Sequence, residues 1–214
     1  MIAYSIASLI GFVLFIIRSL GYFGVLMLMT LESANIPIPS EAIMPFAGFL
    51  VWQGVFSFWW VVIWGTLGNV IGSLISFYGA EWIIAQRDRS GLVRRLISER
   101  SLQLAHRWFA RWGSVSVFFA RLLPVVRTFI SFPAGIGKMR VTSFIIFTAV
   151  GSFAWSLLLT WMGYALGTHW DALSPYFHII DAGIVVACGA LLGWWLVSHR
   201  RSGAATFKNR FGKK

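Results

Sequence analysis

The chain has 214 residues, 58% hydrophobic and only 12% charged, with a formal net charge of +11. A soluble domain carries about 45–50% apolar and about 25% charged residues, so this chain cannot cover its own surface with polar groups and needs lipid around it. A charge of +11 would suit nucleic-acid binding in a soluble protein, with bases interleaved among exposed aromatics. Here most of the bases fall in two blocks between apolar stretches, as cytoplasmic loops do, and no nucleic acid is expected.

The opening, MIAYSIASLIGFVLFIIRS, lacks a basic n-region and a small-residue cleavage site and is expected to be retained. Its apolar run at 2–17 is short and ends at Arg18; whether it spans at a tilt or lies at the interface stays open. A spanning helix needs about 20 apolar residues. The stretches at 54–84, 141–168 and 179–198 meet that requirement.

The stretches at 20–50 and 113–137 are apolar but interrupted. The first contains LESANIPIPSEAIMPFAG, with Glu32, Pro37, Pro39, Glu41 and Pro45; the second contains RLLPVVRTFISFPAG, with Arg121, Pro124, Arg127 and Pro133. Proline removes a backbone donor and clashes with the preceding turn, and the residue before it avoids the α region. Two half-helices entering and leaving by one side, a re-entrant hairpin broken at Pro37, Pro39, Pro124 and Pro133, fit better than a straight helix. Such backbone is tolerated at membrane depth only where protein or a water-filled cavity covers it.

The two segments resemble copies. Pro37 and Ala47-Gly48 match Pro124 and Ala134-Gly135 at a common offset, and each is followed by a long helix bearing Gly and Ser, residues that let helices approach closely in lipid. Between them, 85–112 holds seven Arg against one Asp and one Glu. Its Leu92, Leu96, Leu102, Leu104 and Trp108 alternate with the Arg clusters, as in a cytoplasmic interfacial helix. The tail 200–214 adds six bases and no acid, suited to anionic headgroups. The expected fold is an all-α polytopic membrane domain. It has a first repeat at 20–84, the linker 85–112, a second repeat at 113–170, a last transmembrane helix at 179–198 and the basic cytoplasmic tail. One non-crossing hairpin plus one crossing helix per repeat turns the second repeat upside down. Inverted-repeat transporters of this kind hold substrate at the midplane, where broken elements meet.

Four ionisable groups carry the chemistry: Glu32, Glu41, Arg121 and Arg127. Insertion scales put an unpaired charge at the bilayer centre at roughly 2.5–3.5 kcal/mol, so four unpaired groups would cost on the order of 10 kcal/mol, comparable to a domain's stability. Two acids on one hairpin and two bases on the other suggest that they face each other. Arg suits bidentate capture of phosphate oxygens, and broken helices add positively polarised N-termini. A carboxylate set between low dielectric and a guanidinium is able to exchange protons. The competing reading is a buried ion-pair network that only staples the hairpins, although purely structural buried pairs are often dispensable. Asn35, Ser40 and Thr128 beside the charges read first as caps of half-helices, with Ser40 and Thr128 also candidates for the anion site. Asn69 with Ser73, and Ser152 with Ser156, read as interhelical hydrogen bonds. The lone Cys188 allows no disulfide framework. His106, His169, His178 and His199 show no metal spacing, Asp171 and Asp181 read as loop solvation, and no cofactor or metal is expected.

The constellation resembles the DedA family, which shares the VTT (SNARE-associated) domain. The resemblance rests on Glu32, PIPSE at 37–41 and AG at 47–48, with FxxRxxPxxR from Phe118 to Arg127 and PAG at 133–135. It covers roughly 20–170; Ser40 departs from it, standing where many members carry Gly. It implies a bacterial inner-membrane protein that moves lipid, above all undecaprenyl phosphate from outer to inner leaflet, with dependence on proton motive force. Glu32 and Glu41 then correspond to the family's embedded acids and Arg121 and Arg127 to its essential arginines. The alternatives are a proton-coupled cation or drug antiporter, an energy-independent phospholipid scramblase, and an intramembrane enzyme acting on lipid phosphates. The identity of the lipid and a homo-oligomeric state stay open.

Overall fold

The computed structural model describes residues 2–36, 38–86, 103, 109, 113, 115–123 and 126–167. Pro37 and Pro124 lie outside the described residues. So do nearly all of the linker, the helix expected at 179–198, the tail, Cys188, His106, His169, His178, His199, Asp171 and Asp181.

Every regular element among the described residues is a helix. In chain order they are α1 (Ile2–Leu20), α2 (Tyr22–Ser33), α3 (Ser40–Trp52), α4 (Phe58–Ala85), α5 (Val115–Arg121), α6 (Val126–Phe129), α7 (Ser131–Ile136) and α8 (Val141–Ala165). Two of them, α4 with 28 residues and α8 with 25, are long and apolar enough to cross a membrane. At 1.5 Å per residue they extend about 42 and about 38 Å. The run expected at 2–17 is one helix, α1.

Both interrupted stretches are broken into shorter helices, at Pro39 in the first as expected but not at Pro133 in the second. The first splits into α2 and α3 around residues 34–39, with Asn35 turned to φ 71° and extended Pro39 as the N-cap of α3. Pro45 stays inside α3. The second stretch is three short pieces rather than two half-helices. Pro133 sits within α7, and its ring opposes the carbonyl four residues back. That carbonyl belongs to Phe129, the last residue of α6.

Lipid gives helices no hydrophobic reason to associate, so close packing must hold them. Glycines supply it. On α4, a Cβ at Gly68 would stand 2.5 Å from the Leu26 carbonyl oxygen of α2. On α8, a Cβ at Gly151 would stand 2.6 Å from Arg121 Cβ of α5. Gly48 of α3 lies on the Thr160 carbonyl of α8, Gly163 of α8 lies on the Pro45 carbonyl, and Gly135 of α7 lies on the Phe77 carbonyl of α4. The first arm of each broken segment thus packs on the long helix that follows it, and the second arm packs on the other long helix.

Two apolar cores result. One joins α1, α2, α3, the start of α4 and the end of α8 through Val13, Ile17, Leu28, Met44, Phe46, Val61 and Leu159. The other joins Phe77, Val117, Ala120, Ile130, Ala134 and Phe144. Large apolar side chains such as Phe15, Trp60, Leu67, Ile71, Ile75 and Phe153 point outward, as lipid-facing residues do and as soluble surfaces rarely allow. Trp52, Trp59, Trp60 and Trp161 are exposed near one end of α3, α4 and α8, in the manner of an interfacial aromatic belt.

Candidate functional site

Between the two cores runs a layer of buried polar side chains. Asn69 and Ser73 lie near the middle of α4, and Thr148, Ser152 and Ser156 near the middle of α8. The broken segments supply Glu32, Ser33, Ser40, Arg121, Arg127 and Ser131, all buried.

The four ionisable residues meet here, and the structure separates the two arginines. Arg127 Nη2 donates to Glu32 Oε1 and to Ser40 Oγ, with Glu41 Oε1 at 4.0 Å. Ser40 Oγ in turn donates to Glu41 Oε2 at 3.3 Å. The Glu32 side chain is 6% exposed and that of Glu41 16%, so Glu41 is the more exposed of the two acids. The Trp155 ring of α8 lies 4.9 Å from the Arg127 guanidinium carbon, within cation–π range.

Arg121 has different company. Its Nη2 donates to Ser73 Oγ at 2.6 Å and Ser131 Oγ at 2.7 Å, and among the described residues no carboxylate pairs with it. Ser73 Oγ passes the hydrogen bond on to the Asn69 carbonyl at 2.5 Å, and Asn69 Oδ1 accepts from Ser33 Oγ. A guanidinium held by hydroxyls alone is oriented but not neutralised, and that arrangement favours an anion.

Other residues fall where the sequence did not put them. Ser40 is not a cap, because Pro39 occupies that position without a side-chain cap and Ser40 holds Arg127 instead. Thr128 is half-buried beside Arg127 and makes no described side-chain hydrogen bond. Asn35 Oδ1 accepts from Ser76 Oγ at 3.4 Å, tying the turn to α4. Asn69 and Ser73 both make interhelical bonds, to Ser33 and to Arg121, whereas the Ser152 and Ser156 hydroxyls have no partner among the described residues. Ser131 and Trp155 were not anticipated. For Trp155 the available signal was its helical face, shared with Thr148, Ser152 and Ser156. Among the described residues no group of His, Cys, Asp and Glu could hold a metal ion.

A charged, donor-rich layer buried between long apolar helices marks a membrane protein with a polar interior. Comparison with known proteins agrees: residues 38–165 match the VTT domain, and the chain belongs to the VTT-domain family, the DedA family its motifs resemble. It is 34% identical over 182 residues to an "Alkaline phosphatase-like protein" of Lactococcus lactis, covering 82% of this chain and 85% of that one. It is 29% identical over 205 residues to "Undecaprenyl phosphate transporter A" of Bacillus subtilis, covering 94% and 98%. It is 32% identical over 180 residues to the protein of that name in Staphylococcus aureus, covering 80% and 88%. No solved structure gives a significant match.

Proposed function

We propose that the protein carries an isoprenoid lipid phosphate, undecaprenyl phosphate, from the outer to the inner leaflet of a bacterial plasma membrane, coupled to protons. The observation that carries this reading is Arg121, a buried guanidinium fixed by two hydroxyls without a described carboxylate partner. Unpaired, it is costly in lipid; a phosphate oxygen would neutralise it. A cation antiporter would need acid in excess at this point, and a scramblase would need no titratable partner for the second arginine.

Arg127 supplies the coupling. At rest its guanidinium is occupied by Glu32, so an arriving phosphate and that carboxylate compete for it. A proton reaching Glu32 by way of Glu41 releases Arg127 to the phosphate. When the proton leaves on the far side, the carboxylate reclaims the guanidinium and expels the headgroup. Proton and phosphate therefore travel together, and an inward proton gradient drives transport from outer to inner leaflet. Arg121, Arg127, Ser40 and Thr128 form the headgroup site; Glu32 and Glu41 carry the proton.

The architecture follows the same logic. Segments 20–84 and 113–170 act as repeats of opposite orientation, their broken parts being re-entrant hairpins, followed by a last helix at 179–198 and a cytoplasmic basic tail facing anionic lipids. Gly48 and Gly135, equivalent in the two segments, each rest on the backbone of the long helix of the other half, which supports a two-fold relation.

Reconstituted vesicles with labelled undecaprenyl phosphate, read leaflet by leaflet under an imposed pH gradient, test the proposal. Arg121→Lys and Arg127→Lys keep the charge and lose the fork, and transport is expected to fall at least about tenfold in each, the equivalent of about 1.4 kcal/mol. Unchanged transport in both defeats the headgroup assignment. The phosphatase-like relatives make ester hydrolysis a second reading sharing the phosphate chemistry; release of inorganic phosphate, rather than movement of the intact lipid, would support it.

A further inference from the structure

The polar layer holds eight buried side-chain atoms without a hydrogen-bond partner among the described residues. Four are nitrogens: Arg121 Nε, Arg127 Nε, Asn69 Nδ2 and Trp155 Nε1. The others are Glu32 Oε2 and the hydroxyls of Thr148, Ser152 and Ser156. All four nitrogens are N–H donors, only the Glu32 oxygen is confined to accepting, and a hydroxyl does either. Buried donors are rarely left unsatisfied. A wall with donors in excess suits a ligand that is nearly all acceptor, such as a phosphate monoester, and is ill suited to a cation.

Two of these donors are neutral and sit on the long helices, opposite the broken segments. Asn69 is 1% exposed and Trp155 is 9% exposed. The Asn69 amide oxygen is taken by Ser33, which fixes the amide group and leaves its NH₂ as the free end. The Trp155 ring is held against Arg127, which leaves its N–H as the free edge. The helices bring the two to one level. Gly65 of α4 lies by Ser156 Oγ at 3.4 Å, measured from an added Cβ, while Arg121 touches Ser73 of α4 and Gly151 of α8. The helices therefore run past each other in opposite senses, with Asn69 midway along one stretch and Ser152 and Trp155 on the other.

We infer that Asn69 and Trp155 are direct ligands of the phosphate headgroup, their N–H groups closing on the phosphate from the side away from the arginine backbone. The inference rests on the proposed transport of a lipid phosphate and adds to it the second wall of the site. Neutral donors there bind the anion without adding charge that must be buried once the headgroup has left.

The full chain in lipid nanodiscs, titrated with farnesyl phosphate and with uncharged farnesol, provides the test. Trp155→Phe keeps the ring and removes the N–H; Asn69→Leu removes the NH₂. Hydrogen bonds to charged groups are worth enough that each variant should bind farnesyl phosphate roughly tenfold to a hundredfold more weakly, with farnesol binding unchanged. A merely structural role would weaken both ligands alike, and that result overturns the inference. If wild-type protein does not prefer farnesyl phosphate to farnesol, the transport reading fails and takes the inference with it. If it does, and Arg121→Lys loses the preference while Trp155→Phe and Asn69→Leu keep it, the transport reading stands and the inference is wrong. Should a variant not fold, wild-type protein labelled at indole ¹⁵N decides. One indole resonance should shift with farnesyl phosphate and not with farnesol; the absence of such a shift overturns the role of Trp155.

Discussion

The Glu32–Arg127 pair offers the sharpest test of the resting state. Both side chains are buried, 6% and 4% exposed, so neither charge has water to fall back on. Breaking a buried pair by removing one partner typically destabilises by about 3–5 kcal/mol, because the other charge is left uncompensated. Glu41, 4.0 Å from the same guanidinium, is near enough to take over part of the role. The expectation for Glu32→Gln is therefore the lower end, about 3 kcal/mol, a large share of the 5–15 kcal/mol typical of a folded domain. Arg127→Met removes the cation while keeping apolar bulk against Trp155. The double variant Glu32→Gln/Arg127→Met should recover much of the loss, with a coupling energy toward the upper end of the roughly 0.5–3 kcal/mol seen for contacting residues. Reversible unfolding of the four proteins in mixed micelles completes the cycle. A coupling energy near zero would mean that the pair is not formed in the resting protein, and the exchange of phosphate for carboxylate on Arg127 would lose its starting point.

Other substitutions probe other levels. Gly48→Ala sets a methyl group on the Thr160 carbonyl and should destabilise by about 1–3 kcal/mol; Gly11→Ala, with nothing within 4 Å, should stabilise by about 0.5–1 kcal/mol, both read by thermal unfolding. Ser73→Ala and Ser131→Ala each leave Arg121 short of an acceptor and should cost about 1–3 kcal/mol, measured in the same way. Ile71→Arg places a cation on the outward face of α4, where Ile71 is 42% exposed; membrane insertion should become less favourable by about 2.5–3.5 kcal/mol, whereas a water-facing position would show no loss. Glu32→Gln should also make transport insensitive to the imposed pH gradient, since the group proposed to exchange the proton is gone; transport that still tracks the gradient would remove Glu32 from the coupling.

The breaks in both segments and the meeting of acids with bases were legible because an apolar setting makes every proline and every ionisable group conspicuous. Clustered prolines disfavour a straight helix, although Pro45 and Pro133 are accommodated inside α3 and α7, and a charge in lipid seeks a partner. The assignment of partners was not legible. Nothing local distinguishes Arg127, paired with Glu32, from Arg121, held by serines; that depends on which long helix each arm packs against. Ser73 and Ser131 look like any small polar residue at helical spacing. Trp155 is one of twelve tryptophans, and a ring at the lipid boundary reads the same as a ring over a guanidinium unless the polar stripe of α8 is followed through it. The split of the second broken stretch into three pieces was missed because Pro133 acts on Phe129, four residues upstream, and not at its own position.

The crossed packing of the arms has a mechanical consequence. The glycine contacts fasten α3 to α8 and α7 to α4, while α2 stays on α4 and α5 on α8. A tilt of either long helix thus tugs one arm from each broken segment in the same stroke. Neither broken segment can therefore be shifted as a unit without disturbing its packing on both long helices.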